Sequence, residues 1–136
     1  YYTDLRIIDA NEGARIIGNE QLVQDRIELR AQEGAQIEIG LSVSDAKIRA
    51  VTGGIINASG LATNQEITLN TGGIFEGRDL KTDYTGIRVS TGGEAELFAS
   101  KEVDIQIRAG GDVRVYGDPQ RVNKDTMMGG RIYFLN

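Results

Sequence analysis

The sequence predicts an all-β protein, a right-handed, single-stranded parallel β-helix of about seven coils with a period of about 20 residues. Three observations carry this. A short glycine phrase recurs through the 136-residue chain as "RAVTGGIINA", "TLNTGGIFEG", "RVSTGGEAELFA" and "IRAGGDVRVYG". Its last glycine marks a repeat at Gly13, Gly34, Gly54, Gly73, Gly93, Gly111 and Gly130, with gaps of 21, 20, 19, 20, 18 and 19 residues. Between markers, apolar residues alternate with polar ones at the two-residue strand period, and no segment has the length and 3.6 period of a helix.

The elements follow in order from that alternation. Ahead of the markers stand Ile27 and Leu29 (with one extra residue before Gly34), Ile48 and Ala50, Ile67 and Leu69, Ile87 and Val89, and Ile105 and Ile107. Behind them stand Ile37 and Ile39, Ile56 and Ala58, Phe75 and Gly77, Ala95 and Leu97, Val113 and Val115, and Ile132 and Phe134. A looser third apolar position falls at Val43, Leu61, Leu80 and Val103. Each unit thus reads strand, glycine corner, strand, turn, strand, turn. Stacked in parallel at ~4.8 Å, such units turn their inward residues into apolar columns. The marker glycines are expected to take the positive φ that a sharp corner needs. Thr52, Thr71, Thr91 and Ala109 are expected beside them as small inward residues. A phosphate-cradling loop would require a helix after the glycines, and none follows.

By length the chain is expected to form one domain, residues 1–136, and its opening on Tyr1-Tyr2 is read as that of a chain trimmed at its N-terminus. Residues 117–136, with the single proline at 119, are read as an irregular last coil and cap. The N-terminal coil has no such cap, so an upstream segment or a second copy of the chain is expected to cover it, making a homo-oligomer one solution to the open edge. There is no cysteine for disulfides or thiolate metal sites, and no histidine to serve as general base or metal ligand. A net charge of −5 without a basic cluster argues against nucleic acid. No apolar run reaches the ~18 residues of a membrane helix.

Outward residues should stack as well. One predicted column reads Glu38, Asn57, Glu76, Glu96, Arg114, Tyr133; beside it runs Ile55, Ile74, Glu94, Asp112, Arg131. Glu76 and Glu96 become vertical neighbours, with Glu94 and Asp112 alongside. Hard oxygens of this kind are what Ca²⁺ takes. The ordinary reading is a solvated acidic stripe, and neither a metal nor another cofactor is expected. A second column, Arg49, Thr68, Arg88, Gln106, offers polar partners for carbohydrate hydroxyls or acidic sugars. Arg49, Arg88, Glu76 and Glu96 are therefore the candidate ligand-binding residues; no catalytic residue is assigned. Tyr1, Tyr2, Tyr84, Tyr116 and Tyr133 are candidate contact aromatics, the last two also placed to cap the core.

With the repeats laid out, the chain resembles the bacterial GIN-domain family of autotransporter-adhesin heads. The recurring "TGG" units, "GGIINASGLA" and the closing "IQIRAGGDVRVYGDPQRVNKDTMMGG" carry the resemblance. It implies an exported β-helical protein of Bacteroidetes-like bacteria, extracytoplasmic, at the cell surface or in the periplasm. The function expected is a non-enzymatic structural or adhesive module whose partners are polysaccharides or other surface components. The alternative is a β-helical polysaccharide lyase or glycoside hydrolase. A concave groove lined by carboxylates with Arg or Lys would favour the alternative, and flat faces the module.

Overall fold

A computed structural model of the chain describes residues 5–10, 13, 15–17, 22–23, 26–117, 119–127 and 130–135. Among these described residues thirteen strands, all in parallel pairs, form one continuous sheet wound into a β-solenoid of about six turns. They are β1 (Leu5–Ala10), β2 (Arg15–Ile17), β3 (Leu22–Val23), β4 (Arg26–Gln32), β5 (Gln36–Val51), β6 (Ile55–Asn70), β7 (Ile74–Gly77), β8 (Leu80–Ser90), β9 (Gly93–Phe98), β10 (Glu102–Arg108), β11 (Gly111–Tyr116), β12 (Arg121–Met127) and β13 (Arg131–Leu135).

Two ladders run the length of the solenoid. Ahead of the corner, β1, β4, β5, β6, β8, β10 and β12 stack; behind it, β2, β5, β6, β7, β9, β11 and β13. The 16-residue strands β5 and β6 belong to both because they bend from one side of the coil to the next. The register is the one alternation predicts. Leu29, Ile48, Ile67, Ile87 and Ile105 lie in one column, and Ala31, Ala50, Leu69, Val89 and Ile107 in another. Both columns are buried throughout. A third, Ile37, Ile56, Phe75, Ala95 and Val113, closes the core from the opposite ladder.

Volumes compensate within a coil. A Cβ on Gly77 would lie 2.1 Å from Cζ of Phe75, so the phenyl ring fills the space its neighbour leaves. One coil on, the order reverses to Ala95 and Leu97, again both buried. Dense interiors require such large-against-small pairing. Strands β12 and β13 keep the same ladders, yet Lys124 stands over Ile105 in an inward column and is exposed, its ammonium 5.5 Å from the Phe134 ring centre.

At the corner the structure corrects the expectation. Positive φ falls on the first glycine of each pair, Gly53, Gly72, Gly92 and Gly110, and on the residue before it, Thr52, Thr71, Thr91 and Ala109. These four preceding residues are exposed, not inward. Residues 51–54 and 70–73 form type I′ turns: Gly54 N–H donates to the Val51 carbonyl at 2.9 Å, and Gly73 N–H to Asn70 at 3.1 Å. Gly54, Gly73, Gly93, Gly111 and Gly130 do not take positive φ; they are glycine because nothing larger fits. A Cβ on Gly73 would stand 2.0 Å from the Ala50 oxygen, and one on Gly93 would stand 2.9 Å from Leu69 Cβ. Gly13 and Gly34, by contrast, have positive φ and align with Gly53, since it is Ala35 that lies beneath Gly54. The extra residue before Gly34 is thus no insertion: Leu29 and Ala31, in place of the expected Ile27 and Leu29, are the partners of Ile48 and Ala50, and Gly34 is the counterpart of Gly53.

The third apolar position also divides. Val43, Leu80 and Val103 are buried, whereas Leu61 is 57% exposed, between Ser42 and Lys81 in its ladder. Leu41, Gly60 and Leu80 form the inward column there.

Two sets of variants test this register. Leu69→Ala and Ile107→Ala should each lower stability by about 2–5 kcal/mol, and Thr68→Ala by well under 1 kcal/mol, in denaturant unfolding. Thr68 proving the costliest of the three would shift every column by one residue.

The corner predicts opposite signs from neighbouring positions. Thr71→Asn should raise the melting temperature, because asparagine tolerates the left-handed region where a β-branched residue is strained. Gly73→Ala should lower it by the equivalent of about 1–3 kcal/mol of overpacking. Melting curves that move the same way for both variants would contradict the division of roles.

Candidate functional site

The outward columns run as predicted. Glu38, Asn57, Glu76, Glu96, Arg114 and Tyr133 are consecutive ladder partners, as are Gln36, Ile55, Ile74, Glu94, Asp112 and Arg131. Glu76 and Glu96 therefore face each other across one coil step. With Glu94, Asp112 and Arg114 they line a hollow of about 290 Å³. Glu96 accepts a hydrogen bond from the Tyr116 hydroxyl at 3.3 Å. Tyr116 in turn lies under the Arg78 guanidinium, 5.8 Å from the ring centre; its hydroxyl, with Glu96 and Asp79, raises the Arg78 pKa above its ordinary value. Among the described residues no group of three or more acidic side chains is arranged to hold a metal ion.

Arg49, Thr68, Arg88 and Gln106 share a column on the other ladder, so the four candidate ligand residues are split between two sides of the solenoid. Arg88 lines a hollow of about 380 Å³ with Thr68 and Gln106. Tyr133 is 41% exposed, and Tyr1 and Tyr2 fall outside the described residues.

A concavity of about 520 Å³ is one that the sequence does not mark. It is a trough along five stacked strands, β4, β5, β6, β8 and β10. One wall is the column Arg26, Asp45, Asn64, Tyr84 and Glu102; the other is Glu28, Lys47, Glu66, Gly86 and Asp104. Between them runs the inward column Ile27, Ala46, Gln65 and Thr85, and this forms the floor. No inserted loop lines it: every lining residue belongs to one of these strands.

Several wall groups are already engaged. Arg26 pairs with Asp45 at 3.6 Å, and Asp45 accepts from Asn64 Nδ2 at 2.9 Å. Glu28 pairs with Arg30, and Glu102 with Arg121 at 3.5 Å. Glu66, Asp104 and Lys47 have no such partner among the described residues. Tyr84 is 43% exposed, with the Lys101 ammonium 6.0 Å from its ring centre. Beneath the trough, Thr85 Oγ1 donates to Gln65 Oε1 at 3.2 Å and lies 2.5 Å from Thr82 Oγ1; Thr82 Oγ1 donates to the Phe98 carbonyl. Gln65 Nε2 is buried without an acceptor.

Gly86 stands apart from the corner glycines. Its φ is ordinary and a Cβ there would meet nothing within 4 Å, so neither backbone nor packing demands glycine. It leaves a gap in the wall between Glu66 and Asp104, through which the trough meets the hollow holding Arg88.

A parallel β-solenoid presenting in-register polar ladders is the class this architecture defines. Within it, residues 1–119 match the family described as "Putative auto-transporter adhesin, head GIN domain", and the chain belongs to that family. No curated protein matches it in sequence. Among solved structures it is similar to a putative adhesin from Bacteroides fragilis, at 17% identity and a TM-score of 0.82, over 89% of this chain and 56% of that one. It is also similar to a putative adhesin from Parabacteroides merdae, at 17% identity and a TM-score of 0.86, over 95% and 54%. The chain thus spans about half the length of these structures, and the likeness shows their shared fold. No helix among the described residues is long and apolar enough to cross a membrane.

The acidic stripe yields a direct test. In metal-free buffer the Glu76→Gln/Glu96→Gln variant should melt at or slightly above the parent, since two like charges are removed from one column. Adding millimolar Ca²⁺ should move neither curve. A calcium-dependent rise in the parent that the variant loses would establish a site by mass action.

Proposed function

We propose that the chain is a non-enzymatic, extracytoplasmic adhesion module that binds a glycan or another cell-surface component through a face of its solenoid. The observation that carries this reading is the trough: five coils of paired backbone support side chains at a fixed ~4.8 Å repeat, open to solvent along their length. Such a surface suits an extended, repetitive ligand. It is held by packing on every coil, so little ordering cost falls on binding. Membership of an adhesin-head family supports the same reading, as do the adhesin names borne by the two solved structures.

The carboxylates in the trough favour a second reading, a β-helical polysaccharide lyase or glycoside hydrolase. Glu66 and Asp104 stand on one wall two coil steps apart, roughly 9.6 Å between their backbones, near the upper end of the carboxyl separation in inverting glycosidases. Any pair of carboxylates two coils apart would satisfy that spacing, and both lie on the same wall, not on opposite sides of a bound sugar.

Beads carrying the purified chain should adhere saturably to bacterial or host cell surfaces, with free chain competing. The same preparations incubated with polysaccharides should release no new reducing ends or unsaturated products. Turnover abolished by Glu66→Gln or Asp104→Asn would replace the adhesion reading with the enzymatic one.

A further inference from the structure

We infer that the trough is a saccharide subsite for non-acidic oligosaccharides, with Tyr84 as the platform for a sugar ring and Gly86 as the opening that admits it. The inference rests on the adhesion reading above and names its site and ligand class.

Three independent features converge on these two residues. The first is the glycine. Strand interiors disfavour glycine, which forgoes packing and costs backbone entropy, and it often marks close approach of a ligand. At Gly86 no steric reason for it exists, in contrast to Gly54, Gly73 and Gly93. Its effect is to remove one side chain from the wall facing Tyr84 across the same strand, between two hollows that share Lys47, Glu66, Gly86 and Asp104.

The second is the tyrosine. An aromatic ring 43% exposed in the wall of the trough offers an apolar face beside polar groups, the combination that ligand sites use. The third is charge. Of the five carboxylates that line the trough, Glu28, Asp45 and Glu102 are paired with Arg30, Arg26 and Arg121, while Glu66 and Asp104, which flank Gly86 in their column, have no such partner among the described residues. Ionised carboxylates are acceptors only, so they receive hydrogen bonds from hydroxyls or ammonium groups and repel acidic sugars.

A peptide is the less suitable occupant. Extended peptides dock on sheets by adding a strand to a free edge. Here the floor strands β5, β6, β8 and β10 are each paired on both sides, which leaves no backbone edge inside the trough. Recognition falls to side chains, and their acceptors match a hydroxyl-rich ligand.

The test uses oligomers of N-acetylglucosamine, glucose and mannose as neutral probes, glucosamine oligomers as cationic ones and oligogalacturonate as the acidic one. Binding is read by calorimetry on the parent, Tyr84→Ala, Gly86→Val and Tyr133→Ala, with melting curves for each. At least one neutral or cationic probe should bind the parent, and oligogalacturonate should bind at least tenfold more weakly. Tyr84→Ala and Gly86→Val should each weaken binding tenfold or more, while Tyr133→Ala leaves it unchanged. Gly86→Val should melt no lower than the parent, so its loss cannot be ascribed to unfolding. Absence of binding to every non-acidic probe would overturn the inference. So would preference for oligogalacturonate, equal binding by all variants, or tighter binding of a lysine-rich peptide. Bead adhesion that survives both trough variants would sink this subsite and leave the adhesion reading standing; sugar binding without cell adhesion would do the reverse.

Discussion

Everything in this molecule depends on parallel backbone pairing that does not stop at the corner. In most sheets a turn interrupts the ladder. Here Thr52 and Gly53 donate to the carbonyls of Asn70 and Thr71, and Thr71 and Gly72 donate to those of Ser90 and Thr91. Left-handed backbone is costly for threonine, so the turn is sustained by the bonds it makes to the coil above. The same bonds fix the vertical register, and register in turn fixes which side chains are buried. Core, faces and trough are all consequences of one stacking rule.

That rule explains why so much of the fold is legible from residues alone. A two-residue period repeated every 18 to 21 residues admits one self-consistent stacking, and the inward columns from Leu29 to Ile105 and from Ile37 to Val113 follow directly. The misreadings arise where one residue type serves two purposes. A glycine pair looks like one signal, yet Gly72 is chosen for its φ and Gly73 for its missing side chain. At Gly60-Leu61 the apolar residue draws attention, while it is the glycine that faces inward, over Leu41.

The trough is illegible for a different reason. It is bounded by two outward columns that span five strands, a property of many residues together and of no single position. Composition places Tyr84 among five tyrosines without ranking them, and Gly86 among 18 glycines. Gly86 stands out only beside glycines such as Gly53 and Gly72, which take positive φ, and Gly54, Gly73 and Gly93, which meet close contacts. The candidate residues chosen from sequence, Glu76 and Glu96 on one ladder and Arg49 and Arg88 on the other, were correctly stacked, but the structure divides them between surfaces.

The register changes more than once along the axis, first from an offset of 21 between Leu5 and Arg26 to one of 19 between Arg26 and Asp45. Asn57 lies under Glu76, an offset of 19, but Gly60 lies under Leu80, an offset of 20; the step from Tyr84 to Glu102 is only 18. One added residue is thus absorbed beside the exposed Arg78 and Asp79, and the loss two strands later leaves the columns aligned. A solenoid able to take up a residue at that bend without disturbing its neighbours has a natural site for lengthening. Sequences spliced between Gly77 and Leu80 would project sideways from a rigid rod, giving the scaffold a position where new surface can be acquired independently of the stacking beneath it.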